Sequence, residues 1–494
     1  MVSQEISRQA FIRGALGTLA AGPLLGACRP APEQGPQQST SAVPARDWAA
    51  LDDSIDGRVV LPSNADYPAA KGLFNTRFDN SAPTAVVTAM AVGDVVKAVA
   101  FAVDGDIRIA ARSGGHSYIG DSAGNATMVI DVRPLAGPIT YDEHSGLATI
   151  SAGAELNSVQ ASLAAHERSI PTGSCPTVGV AGLTMGGGLG ADTRRCGLTC
   201  DALASATVVL PSGEVVTAAP NDHDDLYWAL RGGGGGHFGV ATSFTFRTFP
   251  VSDRDVVNLV FPEANAAQAI SGWHAWLGPS DRANWGMVNV TVSGSGLQCS
   301  IVLATPAGKG PAAADEISTA VGVGPVSKGI RTLDHMAFVD YFAGGPDATR
   351  PRAVVAGSDV IAEMTPAAAE AIVAAASARP QAMGSVTAVV ESLSGAVNDI
   401  DPGGSAFPWR RQAACIQWYT EPPSPAGSPP SVDAATAWLT SAHTAVRAHS
   451  VGGYVNYVEA DEPPARYFGD NLPRLASIRR KYDPHSSMYS SVSY

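Results

Sequence analysis

Between Trp48 and about Pro250 the chain alternates short β-branched runs with stretches of helical periodicity. "TAVVTAM" and "DIRIAAR" read as strands on either side of "VGDVVKAVAFAVDG", whose apolar positions recur with helical spacing. "ATMVIDV" and "LATISAGA" predict two further strands, and "ELNSVQASLAAHE" a helix. "ATVVLPSGEVVTA" predicts a hairpin turning on Pro211, Ser212 and Gly213, while "DDLYWALRG" predicts a short helix closed by glycine. Beyond Val251 the apolar runs lengthen. "DVVNLVFP", "WGMVNVTVSG", "QCSIVLATP", "SVTAVVESLSG" and "AACIQWYTEP" read as strands, separated by helices such as "TPAAAEAIVAAASAR". Several of these strands alternate in polarity, the mark of an antiparallel sheet covered on one face. From Ser450 onward the pattern predicts a strand that includes "YVNY", then a loop, a helix and a tyrosine-rich tail.

This pattern extends over 494 residues. A single hydrophobic core stops growing at roughly 250–300 residues, so two globular units are predicted. Charged residues are 16% and hydrophobic residues 45%, with 52 glycines and 35 prolines, which suits a loop-rich enzyme of mixed helix and sheet. A net charge of -13 argues against nucleic acid or an anionic membrane surface as partner.

Residues 1–28 read as an export signal: Arg8 and Arg13 precede an apolar run from Gly14 to Ala27 that is too short to span a bilayer. "SRQAFI" resembles a twin-arginine signal with Gln9 at the second arginine, which leaves twin-arginine and general secretion both open. "LGAC" resembles a lipobox and makes Cys28 a candidate lipid anchor in the bacterial cell envelope, the alternative being a plain cleaved signal and a secreted protein. Residues 29–47 are rich in Pro, Gln and Ser and read as a disordered tether. Six cysteines are too few and too scattered for a disulfide framework. Cys196 and Cys200 lack the partners that zinc needs and read as packing residues; no metal site is expected.

Three glycine-rich loops stand out in the first unit. "GGGHFG" at 234–239 matches a dinucleotide fingerprint in letters only, because a helix precedes it and a strand follows, the reverse of the required order. Bare backbone does let amide groups approach an anion, and several such loops together can wrap one pyrophosphate. His116 sits on the first loop, in "RSGGHSYIG", and Cys175 just ahead of the second, in "GSCPTVGVAGLTMGGGLG". By residue type alone the pair fits metal ligation, a cysteine/histidine catalytic pair or cofactor attachment, beside the plainer reading of a satisfied histidine and a packed thiol.

Those two motifs, followed in order by "CGLTCD", "DLYWALRGGGGGHFGVATSFTF", "YVNY" and "RYFGDNLPRLASIRRKYDP", resemble the berberine bridge enzyme family of FAD-linked oxidases, from about Leu73 to the C-terminus. The resemblance implies an α+β fold of the PCMH type: an FAD-binding domain of two α+β subdomains at 48–250, and a substrate domain at 251–448 whose antiparallel sheet is flanked by helices and roofs the flavin. Residues 449–494 would return to the FAD domain. It further implies FAD held bicovalently, by His116 at the 8α-methyl and by Cys175 at ring carbon C6. Arg112, Ser113, Gly114, Gly115, Ser117 and Tyr118 would line the pyrophosphate and ring edge. Val178, Gly179, Gly182, Gly186, Gly187, Gly188 and Gly190 would lie on the other side, with Gly239, Val240 and Asn456 completing the shell. The chain departs from the family pattern at Ala181, His237 and Trp409; the first two lie in the cofactor shell and the third towards substrate.

A flavin oxidase takes a hydride at N5 and needs a base for the hydroxyl proton. Read as a strand, "YVNY" puts Tyr454 and Asn456 on one face and Tyr457 on the other, which makes Tyr454 the preferred base and Tyr457 the second candidate. Gln417 and Tyr419 are expected to touch substrate. In the family that the chain resembles, a small or valine side chain at the position of Val178 leaves an oxygen pocket, so the resemblance implies O2 as acceptor and H2O2 as product. The expected reaction is oxidation of an alcohol, a sugar hemiacetal or a similar C–H donor. The alternatives are an amine or alkaloid-like metabolite, a dehydrogenase with another acceptor, or a flavin-free binding protein.

Overall fold

The computed structural model describes residues 46–135, 137–381, 383–422 and 432–494. The expected export signal, Cys28 and nearly all of the tether lie outside these residues. Among the described residues no helix is long and apolar enough to cross a membrane.

Two small sheets dominate the first half of the molecule, beside a two-stranded antiparallel pair of Arg168–Ser169 and Phe249–Pro250. In one, Ala85–Thr88 and Ile109–Arg112 run parallel to the central strand Met128–Asp131, and Arg58–Val60 pairs antiparallel at the edge. The parallel pairing follows from the helix Val92–Asp104, which carries the chain back between two strands and buries Val95, Ala98, Val99 and Ala102. The other sheet is antiparallel, in the order Thr140–Asp142, Leu147–Ser151, Val240–Arg247, Leu203–Val209, Val215–Ala218. The predicted hairpin is its edge, turning at Gly213 with φ +83°.

The second half is built on one eight-stranded sheet, antiparallel at every pairing: Ser327–Leu333, Arg254–Phe261, Gly296–Pro306, Trp285–Ser293, Val386–Ser392, Ala414–Thr420, Val355–Ile361, Ser450–Gly452. Side chains alternate across it. Val288, Val290, Val386, Ala388, Val390, Ile416 and Trp418 join a core with the helices Ala266–Leu277, Gly310–Val321, Pro366–Ser377 and Asp433–Val446. The residues between them point to the opposite face, towards the first half of the molecule. Leu475, Ile478, Met488 and Val492, near the C-terminus, pack into the first core instead, and Met488 bridges to Ile109. The fold is therefore α+β, with sheets that are antiparallel except for one three-strand core.

"YVNY" differs from expectation. Val455–Tyr457 is a single 3₁₀ turn, preceded by Tyr454 in extended conformation. The strand stops at Gly452, which pairs with Val360 and lies so close to Trp409 and the Arg466 carbonyl that no Cβ would fit.

Candidate active site

A cavity of about 470 Å³ lies between the glycine loops of the first half and the free face of the large sheet. Its floor is backbone. At Gly114 a Cβ would stand 2.2 Å from the Gly179 nitrogen and 2.6 Å from the Thr177 carbonyl oxygen, so the first two loops touch main chain to main chain. Gly115 turns at φ +72°, open to glycine with little cost. Gly182 is the converse, since a Cβ there meets nothing and would project into open space.

His116 and Cys175 both border this cavity. The imidazole stacks on Phe74 at 4.1 Å, and its Nε2 lies 2.9 Å from Thr177 Oγ1. Burial pushes its pKa down to about 4, so it stands neutral at physiological pH. Cys175 is a free, exposed thiol. Ser113, Ser117, Tyr118, Val178, Gly179, Gly190, Gly239, Val240 and Asn456 line the same space, and Ser490 and Val492 reach it from the C-terminal tail.

The floor fits a flavin dinucleotide. Arg112 lines the cavity with its side chain 0% exposed, paired at 2.7 Å with Asp131, yet its Nε and Nη1 have no partner among the described residues. Orphaned guanidinium donors beside glycine loops are what a pyrophosphate-bearing group would satisfy.

Gly186, Gly187 and Gly188, expected in the cofactor shell, turn elsewhere. A Cβ at Gly186 would fall 1.9 Å from Asn456 Oδ1, one at Gly188 2.1 Å from Thr199 Oγ1, and one at Gly187 3.2 Å from the Tyr454 ring. These glycines admit protein side chains. Trp409 also lies away from the cavity, with its indole N–H donating to the Gly453 carbonyl at 2.7 Å. Tyr419 is likewise outside the lining; its hydroxyl donates to Glu421 Oε1 at 2.9 Å. Ala181 borders the cavity, as does His237, which burial and the Arg479 charge push down to about 3.

The roof is made of side chains from the large sheet. Glu391 lies across from Met287, and Val389 lies between Asn289 and Gln417. Gln417 donates to the Tyr118 hydroxyl at 2.6 Å, and the Tyr118 ring stacks on Tyr457 at 5.9 Å. Tyr457 donates to Glu391 Oε2 at 3.4 Å. Glu391 is only 8% exposed, and burial pushes its carboxyl up to about 7. A phenol bonded to a carboxylate that titrates near neutrality can accept a proton and pass it on. Tyr454 has a different setting. Its hydroxyl accepts from the Gly188 amide at 2.7 Å and from Asn456 Nδ2 at 2.8 Å, and burial pushes its pKa up. The turn at 455–457 thus brings Tyr457 to the sheet face and anchors Tyr454 in the floor.

Sequence reasoning missed Glu391. In "SVTAVVESLSG" it occupies an alternate position that reads as an ordinary solvent-facing charge, and only pairing with Tyr457 gives it a role. It also missed Thr177, and the helix His335–Ala343, whose Phe338, Val339 and Phe342 border the cavity.

The model for an FAD binding domain matches residues 83–219, and that for the berberine and berberine-like segment matches residues 453–489. The chain is 27% identical over 442 residues to the uncharacterized FAD-linked oxidoreductase YgaK of Bacillus subtilis (strain 168), covering 87% of this chain and 95% of that one. To the carbohydrate oxidase of Microdochium nivale it is 25% identical over 467 residues, covering 87% and 91%. Among solved structures it superposes on Physcomitrella patens BBE-like 1 with TM-score 0.80 and 24% identity, covering 90% of this chain and 98% of that one. A glucooligosaccharide oxidase from Acremonium strictum, studied for its 6-S-cysteinyl, 8α-N1-histidyl FAD, gives TM-score 0.80 and 23% identity over the same shares.

Proposed function

The chain belongs to the berberine bridge enzyme-like family of FAD-linked oxidoreductases, and from that premise we propose that it is an oxidase of sugar hemiacetals or related alcohols that carries FAD on two covalent tethers. The observation that carries this reading is that His116, Cys175, Tyr457 and Glu391 all face one cavity. Relatives named for carbohydrate and glucooligosaccharide oxidation support the substrate class.

FAD bound on the floor supplies the two-electron acceptor. The protein supplies the rest. In the tautomer whose Nε2–H donates to Thr177 Oγ1, the neutral ring keeps the Nδ1 lone pair for the histidyl bond, and Cys175 offers its thiol from the neighbouring loop. Gly114, Gly115, Gly179 and Gly182 give close main-chain approach, with Arg112 as the charged donor. Tyr457 takes the substrate hydroxyl proton and Glu391 holds the phenolate's partner proton, so Tyr457 rather than Tyr454 is the base. Tyr118 and Gln417 orient the reacting carbon. Val178 borders the cavity, and its small side chain supports O2 as the acceptor, with H2O2 as the second product. Residues 1–28 are the export signal in this reading, with Cys28 as lipid attachment point; an inhibitor of lipoprotein signal peptidase then changes the protein's size and location.

The test is acid precipitation of purified protein followed by mass spectrometry of its flavin peptides. Flavin on both His116 and Cys175 is expected. Flavin on His116 alone removes Cys175 from the tether, and a colourless pellet overturns covalent attachment. Peroxide release with cellobiose tests the reaction itself.

A further inference from the structure

The roof of the cavity is divided. On the side of Ala414–Thr420 it is polar, with Glu391, Gln417, Tyr118 and Tyr457 bonded among themselves. On the side of Trp285–Ser293 Asn289 and His335 border it, but most of the lining is apolar or aromatic: Trp285, Met287, Phe338, Val339 and Phe342. The last three come from the helix His335–Ala343, which lies against the sheet edge. Trp285 meets Phe342 edge to face at 5.5 Å, and Phe338 lies 5.0 Å from Phe342. Arg254 holds this wall from behind, with its guanidinium 4.6 Å over the Phe338 ring and 2.9 Å from Asp192.

Internal packing accounts for part of this cluster. Trp285 and Phe338 are 3% and 4% exposed and pack on Val256, Val302 and Ala304. Met287 and Phe342 are only partly buried, and both border the cavity beside Val339. Met287 lies directly across from Glu391, so the polar and apolar parts of the roof meet on neighbouring strands, about 5 Å apart, and the apolar part runs on from there through Trp285 to Phe342. A wholly polar ligand would leave the aromatic wall wetted, whereas a ligand with a flat apolar group would dry it.

We propose that the substrate is amphipathic: an alcohol or hemiacetal whose reacting carbon lies at the Tyr457 end and which carries an aromatic substituent seated on Trp285, Met287 and Phe342. This rests on the proposed oxidase reading and goes beyond it by fixing the chemistry of the far end. Trp285 and Phe342 offer ring contacts to such a group, and Met287 a thioether contact.

The experiment is calorimetric titration of the flavin-loaded protein with 4-O-benzylglucose and with cellobiose, matched in length but polar throughout. Tenfold or tighter binding of the benzyl sugar is expected, with the more negative heat-capacity change that apolar burial gives. Phe342→Ala should bring the ratio of the two dissociation constants towards unity, and the milder Phe342→Leu should retain part of it. Equal or tighter binding of cellobiose, a ratio unmoved in both variants, or no binding of either sugar overturns the proposal. Because the readout is binding, tight benzyl-sugar binding without flavin reduction would sustain this inference and sink the oxidase reading, whereas cellobiose bound as tightly and oxidised would do the reverse.

Discussion

The floor and the roof of the cavity solve the same problem with opposite means. The floor holds its ligand with main chain, and its geometry depends on side chains being absent: Gly114 and Gly179 approach so closely that no Cβ fits between them. The roof holds its ligand with side chains, each placed by strand register and exchangeable without moving the backbone. Contacts that require glycine tolerate almost no substitution, whereas contacts on one face of a sheet can be rewritten residue by residue. The protein thus joins a fixed cofactor platform to an adjustable specificity surface.

The largest test of that contrast is Gly114→Ala. The new methyl group collides with main chain on the Gly179 loop, and loss of soluble, flavin-containing protein is expected in expression and absorbance measurements. Gly182→Ala is its control: the protein should fold and melt within a few degrees of the original, because its Cβ meets no protein atom.

On the roof, Tyr457→Phe and Glu391→Gln should fold and keep flavin, while kcat falls by about 10²–10⁴-fold. Tyr454→Phe should instead lower stability, since the Gly188 amide loses its acceptor; a collapse of kcat at unchanged melting temperature would return the base to Tyr454. Glu391 also sets opposite pH trends. Its carboxyl titrates near 7 in the fold and near 4.5 when unfolded, so the folded state binds the extra proton between those values. Stability should fall, and activity rise, as pH increases through that window, and Glu391→Gln should remove both slopes.

The smallest expected effect lies behind the roof. His443 places Nδ1 at 2.6 Å from Asp359 and Nε2 at 2.7 Å from Glu459, tying the helix Asp433–Val446 to the loop beyond Tyr457. Burial opposes the charge, but these two bonds push its pKa up to about 9. A raised histidine stabilises fully below about 6.5 and loses that contribution as pH rises through 9, so the melting temperature should drop by a few degrees between pH 7 and 10. His443→Gln should flatten that drop.

Much of the floor is legible in the sequence because close backbone approach leaves a mark in composition. "RSGGHSYIG" and "GVAGLTMGGGLG" stand out by their glycine content alone, with His116 on the first and Cys175 just ahead of the second. The same signal overreaches at Gly186–Gly188, where glycine serves Asn456, Tyr454 and Thr199 rather than a cofactor. A glycine says that something comes near and does not say what. The strands of the second half are legible from alternation, but "YVNY" is not, because four residues with strand-like spacing fit a turn equally well and local spacing does not decide between them.

By itself the sequence determined a mixture of helix and sheet, the glycine loops with His116 and Cys175 on and beside them, and the alternating strands, which follow from local sterics and the periodicity of burial; the resemblance to a known family supplied the α+β class and the proposed tether roles of those two residues. Tertiary structure alone decided that Glu391 meets Tyr457, that Tyr454 is buried in the floor, and that Phe338 and Phe342 close one end of the cavity. Those contacts join residues distant in the chain through strand register and helix docking, and such pairings leave no local trace in the order of amino acids.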